Sequence, residues 1–174
     1  MRTLPFAIAV LWIAVPGWAN ACWDEAGQRY GVSPQLLYAI ARVESHLNPA
    51  ALNLSHRQRT GSYDIGLMQI NSSNLPALRQ HGISERDLGD ACTNIHVGAW
   101  LLAQTFARHG VTWQAVGAYN AACTQLQGTA CQSARSRYAW LVFKHLPSHT
   151  REQMQAGPAV AAPASAILAA RVSP

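Results

Sequence analysis

Acidic side chains are scarce in this chain: eight Asp and Glu stand among 174 residues, against thirteen Lys and Arg. Chemistry that needs a carboxylate therefore has few places to reside. The four cysteines contain no C-x-x-C pair, and the seven histidines are scattered with no helical ligand spacing beside an acid, so no metal site is expected. No G-x-S-x-G turn surrounds a serine, which removes the usual elbow of a serine hydrolase. No Lys/Arg stripe or aromatic RNA-binding signature is present, so nucleic acid is not an expected partner. There is no internal repeat and no sustained period-two alternation, which argues against a solenoid or an all-β fold.

The one long apolar run lies at the extreme N-terminus. Arg2 gives a positive start, Leu4 to Val15 is almost wholly apolar, Pro16-Gly17 breaks the run, and Ala19-Asn20-Ala21 fits a small-x-small cleavage site. Residues 1–21 read as a secretory signal peptide, the run being short for a membrane span; an uncleaved anchor is the alternative. Cleavage would leave Cys22 at the mature N-terminus, where lipid modification is a further option, although the preceding residues match that signal poorly. Loss of Arg2 leaves twelve basic and eight acidic residues, net +4, which suits an anionic partner.

An even number of cysteines in an exported chain points to two disulfides, with three pairings open. The pairing favoured here is Cys22–Cys92, closing a long loop, with Cys123–Cys131 closing a short one.

Residues 22–146 read as one compact, mainly α domain; residues 147–174 turn rich in Ala and Pro and read as a flexible tail. Ser33-Pro34 predicts a helix start and Asn48-Pro49 its end, with Leu36, Leu37, Ile40 and Ala41 on the apolar face. A second helix is expected from Thr93-Asn94 to Gly110, a third from Thr112, and a fourth from near Ser133 to Pro147. The stretch between the first two, polar from Asn53 to Asp64, is expected to hold an irregular loop or at most a small hairpin.

Six of the eight acids have ordinary surface explanations. Glu44 does not: it lies four residues after Ile40 and eight after Leu36, so it continues a buried stripe. Burial disfavours the charged form, raises the pKa, and suits the group to act as a general acid toward a departing glycosidic oxygen; the alternative is a structural glutamate paired with Arg42 or Arg29, or one reaching solvent near the helix end. Asp64 precedes a Gly-containing turn. It either accepts backbone N–H bonds there or faces Glu44 across a sugar as a second carboxylate.

Three blocks then stand in order: Ala41-Arg42-Val43-Glu44-Ser45, Gly66-Leu67-Met68-Gln69-Ile70-Asn71 and Ala118-Tyr119-Asn120. Together they resemble the signature blocks of the soluble lytic transglycosylase family. Cys22-Trp23, Cys92-Thr93-Asn94-Ile95 and Trp113 to Asn120 are similar to its specialised subgroup, which accompanies conjugation, type III and type IV secretion and pilus systems. The resemblance implies a lysozyme-like, mostly helical fold with a glycan groove and no metal or organic cofactor; the cleaved signal peptide points to the periplasm, and a monomer is expected. It implies that Glu44 is the acid/base, that Ser45 orients Glu44 or the sugar, that Met68 and Gln69 line the groove, and that Tyr119 and Asn120 hold the acid and an N-acetyl group. It resembles some secretion-associated members in Asp64, which would sit like the second acid of lysozyme. The implied reaction cleaves the bond between N-acetylmuramic acid and N-acetylglucosamine in peptidoglycan, with closure of a 1,6-anhydro ring, to open the wall locally for a trans-envelope apparatus. The alternatives are hydrolysis of the same bond and a wall-binding assembly factor with little turnover.

Overall fold

The computed structural model describes residues 18–151. The expected signal peptide up to residue 17 and the tail from residue 152 lie outside the described residues. Helix α1 (Trp18–Tyr30) takes in the last residues of the expected leader and runs on into the domain. Helix α2 (Pro34–Ser45) follows, then β1 (Leu52–Asn53), α3 (Arg57–Thr60), β2 (Asp64–Ile65), β3 (Ile70–Asn71) and α4 (Leu75–Arg79). The long helix α5 (Ala91–His109), α6 (Trp113–Asn120) and α7 (Gly128–His145) complete the domain.

Local chemistry sets most boundaries. The Ser33 hydroxyl accepts the Leu36 N–H at 3.3 Å, with Pro34 in the first turn where its missing N–H costs nothing. Thr112 caps α6 by accepting the Ala115 N–H at 3.2 Å. Each such cap is worth about 1 kcal/mol. The start of α5 differs from the expected Thr93-Asn94: the Asp90 carboxylate accepts the Thr93 N–H at 2.8 Å, so the helix opens at Ala91 and Thr93 lies in its first turn. Helix α7 likewise begins at Gly128, five residues before Ser133, where Cys131 is tied to Cys123.

The fold is mainly α with a small sheet, as expected, but the sheet has three strands where at most a hairpin was foreseen. The strands form an antiparallel meander in the order β1-β2-β3, with Asn53 opposite Asp64 and Asp64 opposite Asn71. At two residues each, they are too short to leave an alternating pattern in the sequence.

Helix α5 packs against α1, α2 and α6, and α7 packs against α2 and α6. Leu37, Ile40, Met68, Ile70, Leu78, Leu88, Leu102 and Val142 are almost wholly removed from solvent and form the centre of the core. Both favoured disulfides are present: Cys22–Cys92 ties α1 to α5, and Cys123–Cys131 ties the α6–α7 loop to α7. Leu146, the last residue of the expected domain, is buried, and residues 148–151 add one helical turn beyond it.

Candidate active site

Glu44 sits in the last turn of α2, on the face carrying Leu36 and Ile40. The helix stops just beyond it. His46 and Leu47 both adopt left-handed backbone angles, φ 55° and 65°, which non-glycine residues seldom take and which cluster at functional sites. Ser45 fixes this end. Its hydroxyl donates to the Leu67 carbonyl at 2.7 Å and accepts the Asn48 N–H at 3.1 Å. Ser45 is itself buried and does not reach the groove, so of its two expected roles only the orienting of Glu44 fits its position.

The Glu44 carboxyl is half-buried and accepts a hydrogen bond from the Tyr138 hydroxyl of α7. Its pKa is raised from 4.5 to about 7. Desolvation is the main cause; the Tyr138 bond opposes it, and the charge of Asp64 adds to it. Arg42 and Arg29, the obvious salt-bridge partners in sequence, form no ion pair with it.

Asp64 faces the same groove from β2. Its neighbours across the sheet hold it by both oxygens: Asn71 Nδ2 donates to Oδ1 at 2.7 Å, and Asn53 Nδ2 donates to Oδ2 at 3.1 Å. The His56 imidazole lies 3.7 Å from Oδ2. Asp64 therefore accepts side-chain amides rather than the backbone N–H groups of a turn.

The second block builds the turn between β2 and β3. Gly66 takes φ 75°, and a Cβ there would fall on the Asn94 amide and 2.8 Å from the Leu88 carbonyl. Gln69 lines the groove, with its amide donating to the Gly66 carbonyl at 2.7 Å. Met68 does not line the groove. It is fully buried, its side chain pressed against α5 at Gly98, because the turn aims it into the core. What Met68 offers the site is its backbone carbonyl, which accepts the Tyr119 hydroxyl at 2.9 Å. Tyr119 and Asn120 line the groove from the end of α6. Burial, with the nearby charges of Glu44 and Asp64, pushes the Tyr119 hydroxyl well above its ordinary pKa, so it remains a donor.

Two residues of the site escaped the sequence reading. Tyr138 falls within the fourth expected helix, and its only signal is that a buried tyrosine must find a partner for its hydroxyl. Thr93-Asn94 marks Asn94 in the sequence only as a helix opener. It is fully buried and satisfies every bond it can reach: Oδ1 accepts the Met68 N–H at 2.7 Å, and Nδ2 donates to the carbonyls of Ile65 at 3.0 Å and Leu88 at 2.8 Å.

The groove has a volume of about 840 Å³ and a largely polar lining that includes Glu44, Asp64, Gln69, Tyr119 and Asn120. A mainly helical domain with a small sheet and a half-buried acid facing such a groove has the build of a lysozyme-like enzyme.

A family model described as the transglycosylase SLT domain matches residues 21–140. The invasion protein IagB of Salmonella typhimurium (strain SL1344) is 38% identical over 154 residues, which cover 85% of this chain and 91% of that protein. Protein IpgF of Shigella flexneri is 45% identical over 101 residues, 58% of this chain and 64% of that protein. The X-ray structure of an inactive mutant of the lytic transglycosylase Slt from Pseudomonas aeruginosa matches with a TM-score of 0.56 at 23% identity, over 75% of this chain and 23% of that longer one. That likeness is one of fold. The chain belongs to the transglycosylase SLT domain family and is, by that membership, a peptidoglycan lytic transglycosylase.

Proposed function

We propose that the protein cleaves the β-1,4 bond between N-acetylmuramic acid and N-acetylglucosamine without water, leaving a 1,6-anhydro-muramic end. The observation that carries this reading is Glu44: a groove-facing carboxyl whose pKa is about 7, so it holds a proton near neutrality, with no basic side chain among the described residues paired to it. Glu44 gives its proton to the glycosidic oxygen as the C1–O bond breaks, and N-acetylglucosamine leaves with a free 4-hydroxyl. The resulting carboxylate takes the proton of the muramic C6 hydroxyl as that oxygen bonds to C1. The acid is regenerated and no water is consumed. Asp64 faces the positive charge that develops at C1, Tyr138 and Ser45 position Glu44, and Gln69, Tyr119 and Asn120 bind the sugars and their N-acetyl groups. Asn53 and Asn71 hold Asp64 within the groove, which favours a second, competing outcome: Asp64 directs a water to C1 and a reducing muramic end forms. Mass spectrometry of digested peptidoglycan separates the two, since the anhydro product is lighter by one water.

The same reading places the protein in the periplasm, exported by residues 1–21, where it opens the wall for a secretion, conjugation or pilus apparatus. Its support is the leader-like N-terminus, the two disulfides, and the 38% identity over most of the length of a protein named for invasion. Loss of assembly of such an apparatus on deletion of the gene, restored by wild type but not by Glu44→Gln, would test it.

A further inference from the structure

Part of the groove is built from a segment that the family blocks do not include. Residues Ala121 to Leu126 join α6 to α7 and line the same groove as Glu44 and Asp64. They have no regular secondary structure, and each is exposed or half-buried, so none of them anchors the segment in the core. The ends are held by helix-terminal bonds, from the Ala121 N–H to Gly117 and from the Cys131 N–H to Gln127. Between those ends, among the described residues, hydrogen bonds and the disulfide tie the segment to α7 alone. Arg135 Nε donates to the Ala121 carbonyl at 3.1 Å, and Cys131 bonds covalently to Cys123, whose backbone is left-handed at φ 60°. Ala122, Thr124, Gln125 and Leu126 make no hydrogen bond to the rest of the described residues. Leu126 is 45% exposed although it faces the groove.

A wall with so few ties would have to be ordered at each binding event, and that ordering subtracts directly from affinity. A covalent tie at its centre removes most of that cost before the ligand arrives. An apolar side chain left exposed on a polar groove suits a ligand with both characters. A pyranose ring is one: its hydroxyls lie at the edge and its C–H groups form an apolar face.

We propose that Ala121–Leu126 is a sugar-binding wall of the glycan groove, that the Cys123–Cys131 disulfide acts as its positioning device, and that Leu126 packs on the apolar face of a pyranose ring. This rests on the reading of the groove as the glycan site. The two disulfides then have different work: Cys22–Cys92 braces the helical core, and Cys123–Cys131 braces the binding surface.

The test separates binding from turnover. In the full chain carrying Glu44→Gln, affinity for purified sacculi is measured by sedimentation, with and without Cys123→Ala/Cys131→Ala or Leu126→Ser. The cysteine pair should weaken binding about tenfold and Leu126→Ser roughly fivefold, the scale of one lost apolar contact or one newly mobile segment. In the active chain, the same changes should raise KM by similar factors while kcat stays within about threefold, the pattern of lost uniform binding. Unchanged affinity in both variants, or a fall in kcat at constant KM, overturns the proposal. Leu126→Ser decides alone if the cysteine variant fails to fold, because Leu126 is exposed and outside the core. A chain that binds sacculi but yields no anhydro ends would refute the proposed reaction and leave the sedimentation result to judge the wall. A Glu44→Gln chain that does not sediment with sacculi overturns the wall as well.

Discussion

The Tyr138 hydroxyl, on α7, donates to Oε1 of Glu44, on α2, across 94 positions of sequence. The bond favours the carboxylate, whereas burial and the charge of Asp64 favour the acid. Two substitutions should therefore move the same titration in opposite directions. Tyr138→Phe removes the opposing bond, so the basic limb of the kcat/KM profile should shift to higher pH. Asp64→Asn removes a like charge, so that limb should shift to lower pH. Turnover should fall in both, by about 10- to 1000-fold for Asp64→Asn, on the scale of one lost electrostatic stabiliser. A limb unmoved by either change would show that Glu44 is not the group being titrated.

Replacing Glu44 by Gln should lower glycan release by about 100- to 10,000-fold, the range of a positioned acid. It should also stabilise the fold in a pH-dependent way. The folded pKa of Glu44, about 7, lies above its unfolded value, so its contribution is complete below about pH 4.5 and is lost as pH rises through 7. Glutamine carries no such loss. Calorimetry should find Glu44→Gln more stable than wild type at pH 8, by up to about 3 kcal/mol, and close to it at pH 4. Activity lost together with a lower melting temperature would point to misfolding instead.

Asn94→Ala should cost about 3–5 kcal/mol, because it strands one buried N–H and two carbonyls and leaves a cavity. The melting temperature should fall on the order of 10 °C or more. Asn94→Asp should be worse at neutral pH, with a carboxylate set against the two carbonyls that the amide now serves, and should recover in acid. A neutral effect of Asn94→Ala on thermal unfolding would refute this account of the β2–β3 turn.

Deleting residues 152–174 should leave melting temperature and glycan release close to wild type. Leu146 already closes the core, and the composition beyond it supplies no periodic apolar face. A large loss of stability on truncation would mean that the tail packs on the domain.

The helical frame was legible wherever a cap stood next to an apolar stripe, as at Ser33-Pro34 and Thr112, and the half-burial of Glu44 was legible because it continues such a stripe. The start of α5 was misplaced by three residues because Asp90, Thr93 and Asn94 are all plausible caps, and only the geometry selects Asp90. The three two-residue strands carry no periodicity to detect. The family resemblance implies Met68 in the groove beside Gln69, but adjacent residues in a tight turn diverge; its backbone, not its side chain, meets Tyr119. Tyr138 and Asn94 were missed as site residues for a common reason. Each acts through a partner far away in sequence, and one unaligned sequence holds no record of such pairs.

Residues 65–68 receive bonds from three helices: Ser45 of α2 at the Leu67 carbonyl, Asn94 of α5 at Ile65 and Met68, and Tyr119 of α6 at Met68. Every one ends on main-chain atoms, with sequence separations from 22 to 51. Inside the turn only Gln69 bonds back, to the Gly66 carbonyl; the rest of the turn is held where distant helices converge on it. Partly folded chains would therefore have no groove, and catalytic competence should appear in one kinetic step with the native state rather than ripen gradually. The Met68 amide, enclosed at that junction, should be among the slowest in the molecule to exchange with solvent, reporting global rather than local opening.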